Sequence, residues 1–84
     1  MSVQAARSRV RIRVEGIVQG VGFRPYVAGL AQDLALAGFV GNDLHGVFIE
    51  VEGSLGATGA FVERLPGEAP PLAVIERVDV ESIP

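Results

Sequence analysis

The sequence predicts an α+β fold of the ferredoxin-like, split βαβ kind: a four-stranded antiparallel sheet with two helices on one face. Three observations predict it. The elements run β-α-β-β-α-β along the chain, which is the order of that motif. Apolar residues recur at period two in the segments read as strands and at helical spacing in the first segment read as a helix. The strand that this topology places mid-sheet is basic, and its two neighbours are acidic. With 84 residues, the chain has room for one small core and not for two.

Each element follows from its residues. Residues 1–9 are polar and short of large apolar groups, so they read as a flexible leader to a domain over 10–84. Val10, Ile12 and Val14 alternate with Arg11, Arg13 and Glu15, the pattern of a half-buried strand, and Gly16 ends it. Gly20 and Gly22 loosen the stretch from Ile17 to Arg24. Pro25 is a favoured first helical residue, because its missing N–H would be unpaired there anyway. Val27, Leu30, Ala31 and Leu34 fall at i, i+3, i+4 and i+7, an apolar stripe about 100° wide. Gly38 suits a left-handed helix cap.

A strand over Phe39–Asn42 comes next, then a turn from Asp43 to Gly46. In the following strand Val47, Ile49 and Val51 share one face, and Phe48, Glu50 and Glu52 the other. A second helix is expected over Leu55–Leu65, with Phe61 and Leu65 one turn apart; Thr58 and Gly59 weaken its propensity. Gly67 to Pro71 is loop by composition. The last strand runs from Val74 to Ile83, with Val78 and Val80 alternating against Arg77, Asp79 and Glu81. In the split βαβ order the first strand lies between the third and fourth. Arg11 and Arg13 are then set beside Glu50, Glu52, Asp79 and Glu81, and such cross-strand pairs contribute roughly 0.2–1 kcal/mol each.

Composition removes several functions. The chain has no cysteine, hence no disulfide scaffold, thiolate metal site or thiol nucleophile. A net charge of −3 opposes binding driven by phosphate backbones. The third strand, VFIEVEG, lacks the basic, aromatic surface that RNA-binding domains of this fold use. No apolar run approaches the roughly 18 residues of a membrane span, and MSVQAARSRVRIRV lacks the apolar core of a secretory signal. A cytoplasmic domain without nucleic-acid or membrane partners is the expectation.

The chemistry is expected at one loop. Gln19-Gly20-Val21-Gly22-Phe23-Arg24 joins a strand end to a helix start. Successive N–H groups in a glycine-rich turn curl around an anion, and the helix N-terminus adds partial positive charge. A cation at that end is unfavourable unless a bound anion compensates it. Arg24 therefore points to phosphate, whose oxygens match a guanidinium and several amides. On spacing alone, an ordinary strand-to-helix turn with a surface arginine remains open. Asn42 can orient a water by accepting one hydrogen bond and donating another, or simply start the turn with Asp43 and Gly46. His45 stands alone, with no partner at metal or triad spacing, so no metal and no cofactor are expected. Glu50 and Glu52 read as a solvated strand face.

VEGIVQGVGFRPYVAGLA, followed by GFVGND and GVFIEVEG, resembles the acylphosphatase family over about residues 10 to 82. The resemblance implies that the loop from Val18 to Phe23 (Val18, Gln19, Gly20, Val21, Gly22, Phe23) cradles phosphate together with Arg24. It further implies that Asn42 orients the attacking water and that a carboxyl-phosphate anhydride is hydrolysed without metal or covalent nucleophile. Arg24-Pro25-Tyr26-Val27 and the tail PPLAVIERVDV are similar to the N-terminal domain of the carbamoyltransferases of nickel–iron hydrogenase maturation, the HypF family. That branch implies carbamoyl phosphate as the small-molecule substrate and downstream domains as partners. Free-standing members usually continue past the fourth strand into a further short one, so an ending at Pro84 implies an excised domain. A free-standing acylphosphatase of broad specificity and a non-catalytic anion-binding module are the alternatives.

Overall fold

A computed structural model describes residues 6–84. In chain order the elements are β1 (Arg7–Ile17), α1 (Phe23–Asp33), β2 (Ala37–Asp43), β3 (Gly46–Ser54), α2 (Leu55–Gly67) and β4 (Val74–Ser82). The sheet order is β2-β3-β1-β4, antiparallel throughout. Alternation sends Val10, Ile12 and Val14 of β1 and Val47, Ile49 and Val51 of β3 to one face. There they form a single buried core with Phe23, Val27 and Leu30 of α1 and Phe61 and Leu65 of α2. This is the ferredoxin-like arrangement that the element order predicts.

The opposite face carries the charge. Arg11 stands opposite Glu50 on β3 and Glu81 on β4, and its guanidinium reaches them at 3.3 and 3.5 Å. Arg9 adds a 2.8 Å contact to the same Glu50. Arg13 departs from the simple strand-to-strand scheme. It is opposite Phe48 and Asp79 in register, yet its side chain goes to Asp43 at 3.1 Å.

Several boundaries differ from the sequence expectation. Arg7–Arg9 belong to β1 instead of a leader, because they pair with Ser54, Gly53 and Glu52; residues 1–5 of that leader lie outside the described residues. α1 begins at Phe23, two residues ahead of Pro25, and its first helical bond runs from Tyr26 N–H to Gly22 C=O at 3.2 Å. Pro25 still falls among the helix donors that lack intrahelical partners, which is why it is tolerated there. The helix closes on Ala35 (φ 56°), with Leu36 N–H bonded to Ala31 C=O at 2.9 Å and Ala35 N–H to Gln32 C=O at 3.1 Å. That is a Schellman closure. Gly38 is not the cap; it lies in β2 against the Glu50 carbonyl, where a side chain would collide.

α2 runs past Leu65 to Gly67 with Pro66 in its last turn. Its start is self-capped, since Ser54 Oγ accepts the Ala57 N–H at 3.1 Å. Thr58 is buried without cost to hydrogen bonding, its hydroxyl meeting the Ser54 and Leu55 carbonyls at 3.3 and 3.1 Å. Tyr26 covers the first turn of α1 and donates its hydroxyl to the Leu65 carbonyl at 2.7 Å. Burial, reinforced by nearby Glu68, pushes the Tyr26 phenol up from its ordinary pKa. This bond ties the start of α1 to the end of α2.

Candidate active site

The loop between β1 and α1 sits at one end of the sheet. Val18 is buried beneath it, whereas Gln19 and Gly20 are exposed. Gly20 and Gly22 take left-handed backbone angles, φ 72° and 79°. A side chain at either would meet nothing within 4 Å, so backbone conformation is what calls for glycine there. Gly22 is the N-cap of α1 and offers no side-chain oxygen, and the first turn contains no acidic residue. The N–H groups of Gly22, Phe23 and Arg24 precede the first helical bond and have no acceptor within the helix. Partial positive charge collects at this end.

Arg24 adds a full positive charge to those donors. Arg9, Arg11, Arg13, Arg64 and Arg77 each contact a carboxylate. Arg24, like Arg7 at the far end of β1, makes no ion pair among the described residues. Asn42 approaches from the other side, on β2 opposite Val47. Val18, Gln19, Gly20, Arg24, Asn42 and Val47 line one small cleft of about 40 Å³. A single water needs about 10–15 Å³ of such space, so the cleft takes a group of a few heavy atoms. Helix-start N–H groups without an intrahelical acceptor, a guanidinium and a carboxamide together suit an oxyanion with a water beside it.

The remaining expected loop residues are placed differently. Val21 packs toward the core and Phe23 is buried in it, and neither they nor Gly22 line the cleft. These three can contribute only main-chain N–H groups. The Gln19 side chain turns aside, donating its amide to the Asp43 carbonyl at 2.9 Å. His45 stays exposed in the hairpin turn, and its backbone N–H bonds Asp43 Oδ1 at 2.8 Å.

Asp43 is the residue that sequence reasoning passed over as turn material. Arg13 Nη1 contacts both of its carboxylate oxygens at 3.1 Å. The His45 N–H first, and then Arg13, hold its carboxyl below the ordinary carboxylate range. An Asp two residues before a turn N–H is a readable Asx-turn signal. The Arg13 contact had no such signal, because it crosses an intervening strand. A larger groove of about 250 Å³ runs between α1 and β2, but its lining (Val27, Ala31, Leu36, Phe39 and Val40 among others) is apolar apart from Gln32 and backbone. It brings together no reactive groups.

With this geometry in hand, comparison with known proteins decides the family. The acylphosphatase family profile matches residues 10–84. The chain belongs to the acylphosphatase family. It is 45% identical over 73 residues to an acylphosphatase of Thermotoga petrophila, covering 86% of this chain and 80% of that one. It is 55% identical over 73 residues to the carbamoyltransferase HypF2 of Cupriavidus necator, covering 87% of this chain but 9% of that protein. A crystal structure of full-length HypF in a phosphate- and nucleotide-bound form superimposes with TM-score 0.94 at 37% identity, over 99% of this chain and 11% of that one. An acylphosphatase structure from Coxiella burnetii gives TM-score 0.85 at 35% identity, over 94% of this chain and 83% of that one. This acylphosphatase domain thus spans about a tenth of the length of the HypF chains it matches. It is an enzyme domain of the acylphosphatase type, and the expected likeness to both branches holds. Among the described residues no helix is long and apolar enough to cross a membrane.

Proposed function

We propose that this domain binds carbamoyl phosphate, and acyl phosphates more generally, and hydrolyses the bond between the carboxyl-type oxygen and phosphorus. The observation that carries the reading is Arg24, without an ion pair among the described residues, at an uncapped helix N-terminus and sharing one small cleft with Asn42. Arg24 and the N–H groups of the Val18–Phe23 loop hold the phosphoryl oxygens. Asn42 accepts a hydrogen bond from the water and aims its oxygen at phosphorus. Attack forms the new P–O bond as the bond to the acyl oxygen breaks; the electron pair leaves with the carboxylate, or with carbamate when carbamoyl phosphate reacts, and the water's proton passes to the phosphate product or to solvent. The protein contributes position and charge compensation, which is what phosphoryl transfer chiefly draws from an enzyme. Such a site needs no resident metal or cofactor.

The likeness to HypF chains supports a place as the N-terminal domain of a cytoplasmic hydrogenase-maturation carbamoyltransferase, with the downstream domains as partners. The likeness to whole acylphosphatases supports the second reading, a broader acyl phosphate specificity. The test is phosphate release by the folded chain from carbamoyl phosphate and from acetyl phosphate. Arg24→Ala is expected to weaken phosphate binding and to slow turnover by about 10²–10³-fold, the scale of losing one donor to a developing oxyanion. Asn42→Ala is expected to slow turnover while leaving phosphate inhibition nearly intact. Equal, small effects of the two substitutions would remove both assigned roles. The ratio between substrates decides between the two specificities.

A further inference from the structure

Asn42 has little of its own to hold it in place. It is exposed, and it lies on β2, an edge strand paired only with β3. One residue further on, Asp43 gathers three contacts from three parts of the chain. Arg13, on the central strand β1, reaches both carboxylate oxygens at 3.1 Å. The His45 N–H closes the turn on Oδ1 at 2.8 Å. Gln19, from the anion-binding loop itself, donates to the Asp43 main-chain oxygen at 2.9 Å. The carboxylate and carbonyl of one residue thus join the sheet centre, the hairpin and the loop.

We propose that Asp43 is the positioning residue of this site: clamped by Arg13 and tethered to the loop through Gln19, it fixes Asn42 relative to the bound phosphoryl group. The proposal rests on the reading of Arg24 and Asn42 given above and extends it to Asp43 and Arg13, which line no part of the cleft. A misplacement of about 1 Å can cost on the order of 10²-fold in rate, so an edge-strand asparagine benefits from such a clamp. The charged or titratable groups facing the Asp43 carboxylate are Arg13 from β1 and, in the turn, His45. Because the Asp43 pKa is depressed on folding, the clamp is complete above the ordinary carboxylate range. It is lost only as pH falls through the lowered value, so at neutral pH it is fully formed.

The test is a double-mutant cycle in the whole chain with Asp43→Asn, Arg13→Met and both together. Asp43→Asn keeps the size of the side chain and an oxygen for the His45 N–H but loses the charge. The expected result is a kcat lower by about tenfold or more, with KM and inhibition by inorganic phosphate unchanged. The double variant should be no slower than either single one, and Arg13→Lys should recover part of the loss. Circular dichroism establishes that each variant is folded at the assay temperature. An unchanged kcat in Asp43→Asn overturns the proposal, as does a parallel loss of kcat and phosphate binding. If the unaltered chain releases no phosphate, the hydrolytic reading fails separately, and NMR then decides the clamp. With inorganic phosphate bound, the Asn42 side-chain amide should give one sharp pair of resonances that broadens or doubles in Asp43→Asn. The same sharp pair in the variant overturns the proposal.

Discussion

α2 starts on Ser54, whose Oγ takes the Ala57 N–H at 3.1 Å, whereas α1 starts on Gly22, which has no side chain to offer. The two helices pack into one core and lie on the same face of the sheet, so the difference is not one of environment. α2 satisfies a donor from within its own chain. α1 leaves its first donors open and adds Arg24, a charge that its own dipole repels by roughly 0.3–1 kcal/mol. A helix whose task is only to cover the sheet has no reason to forgo that stability. The open start of α1 is what an anion seat requires. A protein breaks its local rules where it has a ligand to hold.

The strongest way to break this contrast is at Gly22. An alanine there meets no neighbour, but the left-handed backbone costs it about 1–2 kcal/mol. The loop then either bears the strain or relaxes its φ, and relaxation re-aims the N–H groups at the start of α1. Gly22→Ala is expected to slow hydrolysis by about 10²-fold. Gly22→Asn should fall between it and the unaltered chain, because asparagine tolerates this conformation better. Steady-state kinetics on the three proteins checks the order. An alanine variant of full activity would mean that the open donors are not used.

The matching change at the other helix has the opposite signature. Ser54→Ala removes the cap of α2 and should lower stability by about 1 kcal/mol. For a domain of this size that is a fall of roughly 4–8 °C in melting temperature. Turnover below the transition should stay the same, since Ser54 lies at the junction of β3 and α2 and lines no part of the cleft. Calorimetry and kinetics on one preparation separate the two effects. A loss of turnover without a loss of stability would erase the division between a structural and a functional helix start.

How much of this was legible in advance follows from the range of each interaction. The alternation in β1 and β3 and the stripe on α1 are local, so the core residues Ile12, Val14, Val27, Leu30, Ile49 and Val51 could be read directly. The sheet order was legible from the order of the elements, and charge supported it, with Arg11 set between Glu50 and Glu81. Arg24 and Asn42 could be singled out by residue type and by resemblance, and the structure brings them to one cleft. Helix ends were less legible. Pro25 is a start signal good to a residue or two, and Gly38 looked like a cap because glycine usually fills that role. In the structure an alanine fills it, and Gly38 answers instead to the Glu50 carbonyl on the next strand. Asp43 was missed for the same reason: its ion-pair partner, Arg13, lies two strands away.

That alanine supplies the mildest test, within α1 itself. Both ends of the helix place a residue in the left-handed region, Gly22 at φ 79° and Ala35 at φ 56°. At the start the conformation exposes donors; at the end it closes the helix through Leu36 N–H and the Ala31 carbonyl at 2.9 Å. Glycine would relieve the Cβ of Ala35 of a conformation costing about 1–2 kcal/mol, and its greater freedom in the unfolded chain takes back part of the gain. Ala35→Gly should therefore raise stability by up to about 1 kcal/mol, read as a melting temperature higher by a few degrees. Turnover should not move, because Ala35 lines no part of the cleft. A stabilised variant with altered kcat would show that the closure of α1 is felt at its open end. Strain at Ala35 would then belong to the site, and the two ends of the helix could no longer be assigned separate tasks.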